Sequence, residues 1–229
     1  MVSKFTVLIV FFAFLLTGCN LTSPGTVSTP VATIDPTQEF IQPTPLQPIS
    51  PAQTVIVLPT AVSAQQIVLD RAAEVVAALK AQHLDRLAEY VHPQLGLRFS
   101  PYAAVKDTDQ IFPAGKISGL LADRTVYEWG GYAGSGEPIA LTFADYYDQF
   151  IYDVDFANAP QEALNHRLGV STTLDNIFEF YQSSMYVEFY FPGFDPQYEG
   201  MDWRSLRLVF MQDNGTWYLV GIIHDQWTT

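Results

Sequence analysis

The chain has 229 residues, of which 48% are hydrophobic and 15% are charged, and its formal net charge is −13. This apolar content excludes a wholly disordered chain, and the acidity argues against binding to duplex nucleic acid, which needs Lys and Arg against phosphates. A single cysteine excludes an internal disulfide framework and a thiolate zinc cluster.

The N-terminus has the pattern of a secretion signal. Lys4 precedes an apolar run, Phe5 to Leu16, that is too short for a comfortable membrane span of ~20 residues. The run ends in Leu16-Thr17-Gly18-Cys19, which resembles the bacterial lipobox. The resemblance implies that a signal peptide of residues 1–18 is removed and that a lipid on Cys19 anchors the mature chain; a plain signal peptide is the alternative. We therefore expect a lipid-anchored protein of the bacterial cell envelope that faces outside the cytoplasm.

A proline-rich segment follows at residues 19–62. It contains eight of the 15 prolines, with Thr and Ser between them, and its only charged residues are Asp35 and Glu39. Because proline fixes φ and removes a hydrogen-bond donor, we expect a flexible, extended tether here. The alternative is that this proline-rich segment packs on the domain through residues 54–58. Residues 63–229 then form one α+β domain. This domain holds ten Lys and Arg against 22 Asp and Glu, a net charge near −12.

The first half of this domain shows helical patterns. Ser63-Ala64-Gln65-Gln66 has the form of a capping box before a helix that runs to about Gln82, and a second helix covers Leu84 to Val91. Short strands are expected at 97–100 and 125–129. Thr142 and Asp145 indicate a third helix through about Tyr152, and residues 158–176 are poorly patterned.

The last third predicts strands. Residues 184–191 alternate, with Met185, Val187, Phe189 and Phe191 on one face, and Asn214-Gly215 between two apolar runs predicts a C-terminal hairpin. A two-residue turn sets the register. Paired positions then sum to 429, so the expected pairs are Phe210–Leu219, Leu208–Gly221, Leu206–Ile223, Arg204–Asp225, Ser205–His224 and Arg207–Ile222.

This order of elements resembles the NTF2-like fold of the ketosteroid-isomerase type, in which N-terminal helices pack on a curved antiparallel sheet. Residues 98–102, 134–138, 200–210 and 217–225 also look like segments of a family of bacterial lipoproteins with such a domain. The resemblance implies an α+β cone and brings no activity with it.

The polar end of the hairpin is the candidate ligand-binding site. It gathers Asp202, Arg204, Asp225 and Trp227, with His224 and Ser205 on the reverse face. Either Arg204 and Asp225 bind a polar ligand, or they form a structural ion pair at the end of the sheet. A nucleophilic Ser205–His224 pair has no third member and no oxyanion donor to support it.

Two further groups of residues have alternative interpretations. Asp145, Asp148, Asp153 and Asp155, with Tyr146, Tyr147 and Tyr152, form either a cation site or the solvated face of a helix, and no calcium loop accompanies them. Aromatic residues near loops form either a carbohydrate- or peptide-binding patch or an aromatic core. They are Tyr127, Trp129, Tyr132, Tyr181, Tyr186, Tyr190, Phe191, Phe194 and Tyr198.

We therefore expect a binding or interaction module without catalysis, cofactor or metal, whose ligand is a small molecule, a carbohydrate or a protein. One alternative is an NTF2-like enzyme with Asp225, Asp202 or His224 as acid or base. Another is a structural envelope protein that forms a homodimer through an outer sheet face of Val209, Met211, Tyr218, Val220 and Ile222.

Overall fold

Two helices begin the part of the chain that the structure describes. The computed structural model describes residues 62–228, so the expected signal peptide, Cys19 and nearly all of the tether lie outside the described residues. Helix α1, Ala64–Lys80, is capped by Ser63, whose Oγ accepts a 3.1 Å hydrogen bond from the Gln66 amide. Helix α2, Leu84–Tyr90, follows after three residues. Both predicted helices are confirmed.

The middle of the domain consists of short elements. Strands β1, Leu97–Ser100, and β2, Gln110–Phe112, precede helix α3, Ala114–Ile117. Strands β3, Val126–Gly131, and β4, Pro138–Thr142, form a separate two-stranded sheet. Helix α4, Phe143–Phe150, begins at the predicted cap, since Thr142 Oγ1 accepts a hydrogen bond from the Asp145 amide.

A six-stranded sheet forms the rest of the domain. Strand β5, Gln161–Leu164, helix α5, Ile177–Phe180, and strand β6, Met185–Phe191, precede the hairpin of β7, Arg204–Asp213, and β8, Thr216–Gln226. The strand order is β2-β1-β8-β7-β6-β5, and all pairs are antiparallel except β1 with β8. Asn214 and Gly215 have φ of 47° and 81°, so the predicted turn is confirmed.

The two faces of the sheet are covered by different parts of the chain. Residues of α1, α2 and α4 pack with Val187, Leu206 and Leu208 in the main core. The opposite face carries a smaller apolar cluster in which Ile177 and Tyr181 cover Val209, Val220 and Ile223. We call the covering segment, residues 165–181, the strap. The protein is thus α+β, with N-terminal helices packed on a mostly antiparallel sheet and a C-terminal hairpin, as the NTF2-like resemblance implies.

The five residues expected to form an exposed homodimer face do not form one. Val209 and Val220 are buried beneath the chain's own strap, and Met211 is half-buried beside them. Ile222 belongs to the main core on the other side of the sheet. This face is therefore not a free apolar surface.

A β-bulge corrects the predicted register of the hairpin. Pairing follows the expected register from Asp213–Thr216 to Phe210–Leu219, but Val209 then pairs with Gly221, which leaves Val220 as an extra residue. Beyond the bulge Arg204 pairs with Gln226, Ser205 with Asp225 and Leu206 with His224. Of the six expected pairs, Phe210–Leu219 is confirmed and the other five are wrong, including the Arg204–Asp225 ion pair.

No helix within residues 62–228 is long and apolar enough to cross a membrane.

Candidate functional site

Three of the five predicted ligand-binding residues lie together in an open cleft at the end of the hairpin. Asp202, Arg204 and Trp227 line it, with Tyr198, Met201 and Gln226, around a volume of about 350 Å³. The side chains of Tyr198, Met201 and Trp227 are 49%, 46% and 40% exposed. We call this the hairpin-end cleft. Its walls combine exposed apolar groups with a guanidinium and an amide.

Asp202 shapes one wall of the hairpin-end cleft. Its Oδ2 accepts hydrogen bonds from the amides of Phe194 (3.0 Å) and Asp195 (2.8 Å), which fixes the loop between β6 and β7. Gly193 in this loop has a φ of +149°, and a Cβ there would lie 2.9 Å from Asp202 Oδ1. Partial burial opposes ionisation of Asp202, but these amide donors outweigh it and lower the pKa of the carboxyl. Asp202 therefore anchors the loop between β6 and β7 through its carboxylate.

Arg204 lies between the hairpin-end cleft and an acidic partner behind it. Its Nε donates a 2.8 Å hydrogen bond to Asp153 Oδ2, and its Nη1 donates to the carbonyl oxygens of Asp202 and Trp203. Its side chain remains 29% exposed. The guanidinium is thus oriented by the protein and still reaches solvent on the cleft side.

His224 lies on the main-core side of the sheet, because the bulge reverses its expected face. It is fully buried, its Nε2 lies 3.3 Å from Asp153 Oδ1, and its ring packs edge-on against Phe150. Burial would raise the pKa of Asp153, but contacts with His224 and Arg204 outweigh it and lower that pKa. His224 does not line the hairpin-end cleft.

Asp225 lies on the opposite face of the sheet, in a buried ionic cluster. Its Oδ2 accepts hydrogen bonds from Arg207 Nη2 (2.8 Å) and Arg167 Nη2 (2.9 Å). Arg207 Nε also lies 3.3 Å from Glu188 Oε1. Arg207, Glu188 and Asp225 are all 0% exposed. Arg207 Nη1 also lies 3.8 Å from Asp175 Oδ2. We call these residues, together with Ser205 and Arg167, the Arg207 cluster.

The strap completes the Arg207 cluster. The amides of Leu168 (2.6 Å) and Gly169 (3.2 Å) donate to the Glu188 carboxylate, which also accepts a hydrogen bond from Ser205 Oγ. Burial opposes the charge on Arg207, but Glu188 and Asp225 outweigh it and raise the pKa of the guanidinium. Ser205 and Asp225 are therefore bound within a closed network, and Ser205 is separated from His224 by the thickness of the sheet.

The predicted acidic–aromatic group does not form one site. The Asp145 amide donates a hydrogen bond to the cap residue Thr142, Asp153 contacts Arg204, and Asp155 binds Lys80 Nζ at 2.7 Å. Tyr146 and Tyr147 are buried in the main core. Within residues 62–228 no group of three or more His, Cys, Asp or Glu side chains could hold a metal ion. The helix interpretation fits Asp145 and Asp148, which are exposed on α4, whereas Asp153 and Asp155 lie beyond the end of that helix and form ion pairs.

The predicted aromatic patch is divided between core and surface. Trp129 is fully buried and stacks on Tyr146 with a centroid distance of 3.8 Å. Of the nine aromatic residues in that group, Phe194 and Tyr198 are exposed and the others are buried or half-buried. Most of these residues therefore form an aromatic core, and Tyr198 contributes to the hairpin-end cleft.

Sequence reasoning missed a second cleft, of about 430 Å³, between the β1–β2 loop and the β3–β4 hairpin. Tyr102, Lys106 and Asp109 line it from the first element, and Gly130 to Ala133 line it from the second. We call it the Asp109 cleft. No sequence signal marked it, because its residues are spaced irregularly and meet only through the tertiary fold.

The comparisons with known proteins identify no family for this chain. No family model and no curated protein matches it. A solved structure from Xanthomonas campestris, described as a putative calcium/calmodulin dependent protein kinase II association domain, is similar at 13% identity. The match covers 70% of this chain and 86% of that chain, with a TM-score of 0.30. A likeness at this level transfers no ligand and no activity.

Proposed function

We propose that this protein is a lipid-anchored, non-catalytic binding module of the bacterial cell envelope, displayed outside the cytoplasm on its proline-rich tether. The observation that carries the proposal is the hairpin-end cleft, where Tyr198, Met201 and Trp227 are exposed beside the oriented Arg204 guanidinium. Exposed aromatic rings beside polar groups are typical of ligand-contacting surfaces.

Binding is better supported than catalysis because the expected acid and base residues are already engaged. Asp225 is paired with two arginines, and Asp202 accepts two backbone hydrogen bonds. His224 is buried against Asp153 and Phe150. A general acid or base must reach the substrate within hydrogen-bond distance, and two of these three residues lie away from the cleft.

The chemistry of the hairpin-end cleft favours an oligosaccharide. A sugar ring presents an apolar face that packs on Trp227 or Tyr198, and its hydroxyl groups can hydrogen-bond to Arg204 and Gln226. The cleft is open rather than enclosed, which suits a chain that extends beyond it. An envelope location would place the module among such polymers.

Tryptophan fluorescence provides the test of binding. All four tryptophans lie within the described residues, and Trp129, Trp203 and Trp217 are 0%, 4% and 6% exposed against 40% for Trp227. Soluble hexasaccharides of glucose and of N-acetylglucosamine should therefore change the emission mainly through Trp227. Calorimetric titration, which does not depend on the Trp227 signal, should show that Trp227→Ala and Tyr198→Ala each weaken binding about 10-fold or more, which corresponds to ~1.4 kcal/mol.

Phe178→Ala is the matched control, since Phe178 is 50% exposed and lies on the strap. It should leave the affinity unchanged. If neither hexasaccharide binds, or if Phe178→Ala weakens binding as much as Trp227→Ala, the proposed oligosaccharide site is wrong.

The proposed anchor has a separate test. Replacing Cys19 by Ser removes the thiol that would carry the lipid, so the chain should leave the membrane fraction or remain unprocessed. Thr17→Ser keeps the cysteine and should not change the distribution. Full membrane retention of Cys19→Ser would refute lipid anchoring through this residue.

A further inference from the structure

The Asp109 cleft contains a buried carboxyl group that the fold satisfies on one oxygen only. Asp109 is 6% exposed, and its Oδ2 accepts hydrogen bonds from Ser100 Oγ (2.5 Å) and the Lys106 amide (2.9 Å). No hydrogen bond to Oδ1 is found among residues 62–228. Asp109 lines the cleft, and since Oδ2 is occupied we infer that a ligand there would contact Oδ1.

The nearest arginine does not neutralise this carboxyl directly. Arg98 Nη1 donates to the carbonyl oxygens of Lys106, Asp107 and Asp109, so the guanidinium holds the loop instead of pairing with the Asp109 side chain. Burial raises the pKa of Asp109 against the opposing effects of Ser100 and the Lys106 amide. A cation delivered to Oδ1 would offset this desolvation.

Charged and aromatic side chains together line the Asp109 cleft. Lys106 is exposed and lines the same cleft, while half-buried Tyr102 and Tyr132 form aromatic walls. At about 430 Å³ the cleft falls within the range of small-molecule sites, roughly 300–1,000 Å³. It shares no lining residue with the hairpin-end cleft.

We propose that the Asp109 cleft is a second binding site, which takes a small zwitterion of the amino acid or dipeptide class. The ligand's ammonium group binds Asp109 Oδ1, its carboxylate faces Lys106, and its apolar part packs against Tyr102 and Tyr132. A ligand with only a negative charge would be repelled by the Asp109 carboxylate and by the acidic domain around it. The ammonium group is therefore the part of the ligand that binding requires.

Calorimetric titration of the full-length chain tests this assignment. The probes are alanine, alanylalanine, N-acetyl-alanylalanine and alanylalanine amide. Alanine or alanylalanine should bind with millimolar affinity or better. N-acetylation removes the ammonium group and should weaken binding about 10-fold or more. Amidation removes the carboxylate, and its smaller effect should disappear in Lys106→Met.

The variants locate the site. Asp109→Asn keeps the shape of the side chain and should weaken dipeptide binding about 10-fold or more, whereas Asp107→Asn removes an exposed carboxylate two residues away and should change affinity less than about 2-fold. Ala104→Phe fills the cleft without altering Asp109 and should also abolish binding, which covers the case in which Asp109→Asn unfolds the protein.

Three results would overturn the proposal. The first is no binding of alanine or alanylalanine at millimolar concentrations. The second is equal binding of the N-acetylated dipeptide. The third is a folded Asp109→Asn or Ala104→Phe variant with unchanged affinity.

Discussion

Arg207 Nη2 donates a 2.8 Å hydrogen bond to Asp225 Oδ2 at a place where neither side chain is exposed to solvent. The pair lies between strands β7 and β8 on the strap side of the sheet, and Glu188 on β6 is the second carboxylate that Arg207 contacts. Buried ions are stable only when they are paired and hydrogen-bonded. The strap provides two amides for Glu188 and Arg167 for Asp225, so it helps to stabilise these buried charges.

Removing the Arg207 guanidinium from the Arg207 cluster should strongly destabilise the protein. Arg207→Met leaves Glu188 and Asp225 buried with less positive charge, and we expect a loss of about 3–5 kcal/mol in the free energy of unfolding, measured by urea denaturation. Arg86→Met is the control, because Arg86 and Glu89 form an exposed pair on α2. It should leave that free energy nearly unchanged. A change for Arg207→Met no larger than for Arg86→Met would show that the cluster is not stabilising in this way.

Gly169 allows the strap to approach the sheet. A Cβ at this position would lie 2.5 Å from Cζ3 of the buried Trp203 ring, so Gly169→Ala should displace the strap from Glu188. We expect a loss of ~1–3 kcal/mol in unfolding free energy and faster amide exchange in residues 167–169. Gly115→Ala has no atom within 4 Å of its new Cβ and should be neutral or stabilising. Equal effects of the two substitutions would contradict this account of the strap.

The bulge brings Gly221 close to a buried hydroxyl. A Cβ on Gly221 would lie 3.1 Å from Tyr181 Oη, and this hydroxyl has no hydrogen-bond partner in the described part of the chain. Tyr181→Phe should therefore stabilise the protein by ~1 kcal/mol, and Gly221→Ala should destabilise the wild type more than it destabilises Tyr181→Phe. A double-mutant cycle on unfolding free energies checks the coupling. Additive effects would show that the new Cβ does not contact the hydroxyl. A destabilised Tyr181→Phe would show that the hydroxyl has a hydrogen-bond partner.

Acid should remove part of the stability through Asp153 and Asp155. The folded pKa of each is lowered from an ordinary value of 3.8, to about 2 for the exposed Asp155 beside Lys80. A carboxyl with a lowered folded pKa contributes stability above its unfolded pKa and loses it as pH falls through the folded pKa. We therefore expect unfolding free energy to fall between about pH 4 and pH 2.

Asp153→Asn should reduce this pH dependence, because it removes the partner of Arg204 and His224. Asp148→Asn, on the exposed side of α4, should leave the dependence as it is. An identical acid profile for wild type and Asp153→Asn would contradict the assigned role of this carboxyl.

Local patterns in the sequence were sufficient for most of the elements. Ser63 and Thr142 cap helices as expected, and Asn214-Gly215 forms the hairpin turn, because these features depend on residues close in sequence. The alternation at 185–191 also placed Val187 and Phe189 in the core. These are the features for which local chemistry determines the conformation.

The bulge and the strap could not be predicted in this way. Val220 follows the alternating pattern, and only the tertiary contacts of Gly221 with Tyr181 and Val209 distinguish this position. One extra residue moves the later side chains of β8 to the other face, so Asp225 leaves the Arg204 side of the sheet and His224 joins it, buried against Asp153. Trp227 follows the last residue of β8 and lies with Asp202 and Arg204 in the hairpin-end cleft. The strap showed no pattern because the polar contacts that hold it to the rest of the domain join residues far apart in sequence.

The most direct test of the proposed function is the NMR signal of the four tryptophan indole N–H groups during titration with the glucose and N-acetylglucosamine hexasaccharides. Binding in the hairpin-end cleft predicts a large, saturable shift of the Trp227 signal, with little change at Trp129, Trp203 and Trp217, which are buried. An unchanged Trp227 signal at saturating hexasaccharide, or a shift confined to the other three, would contradict binding at this cleft.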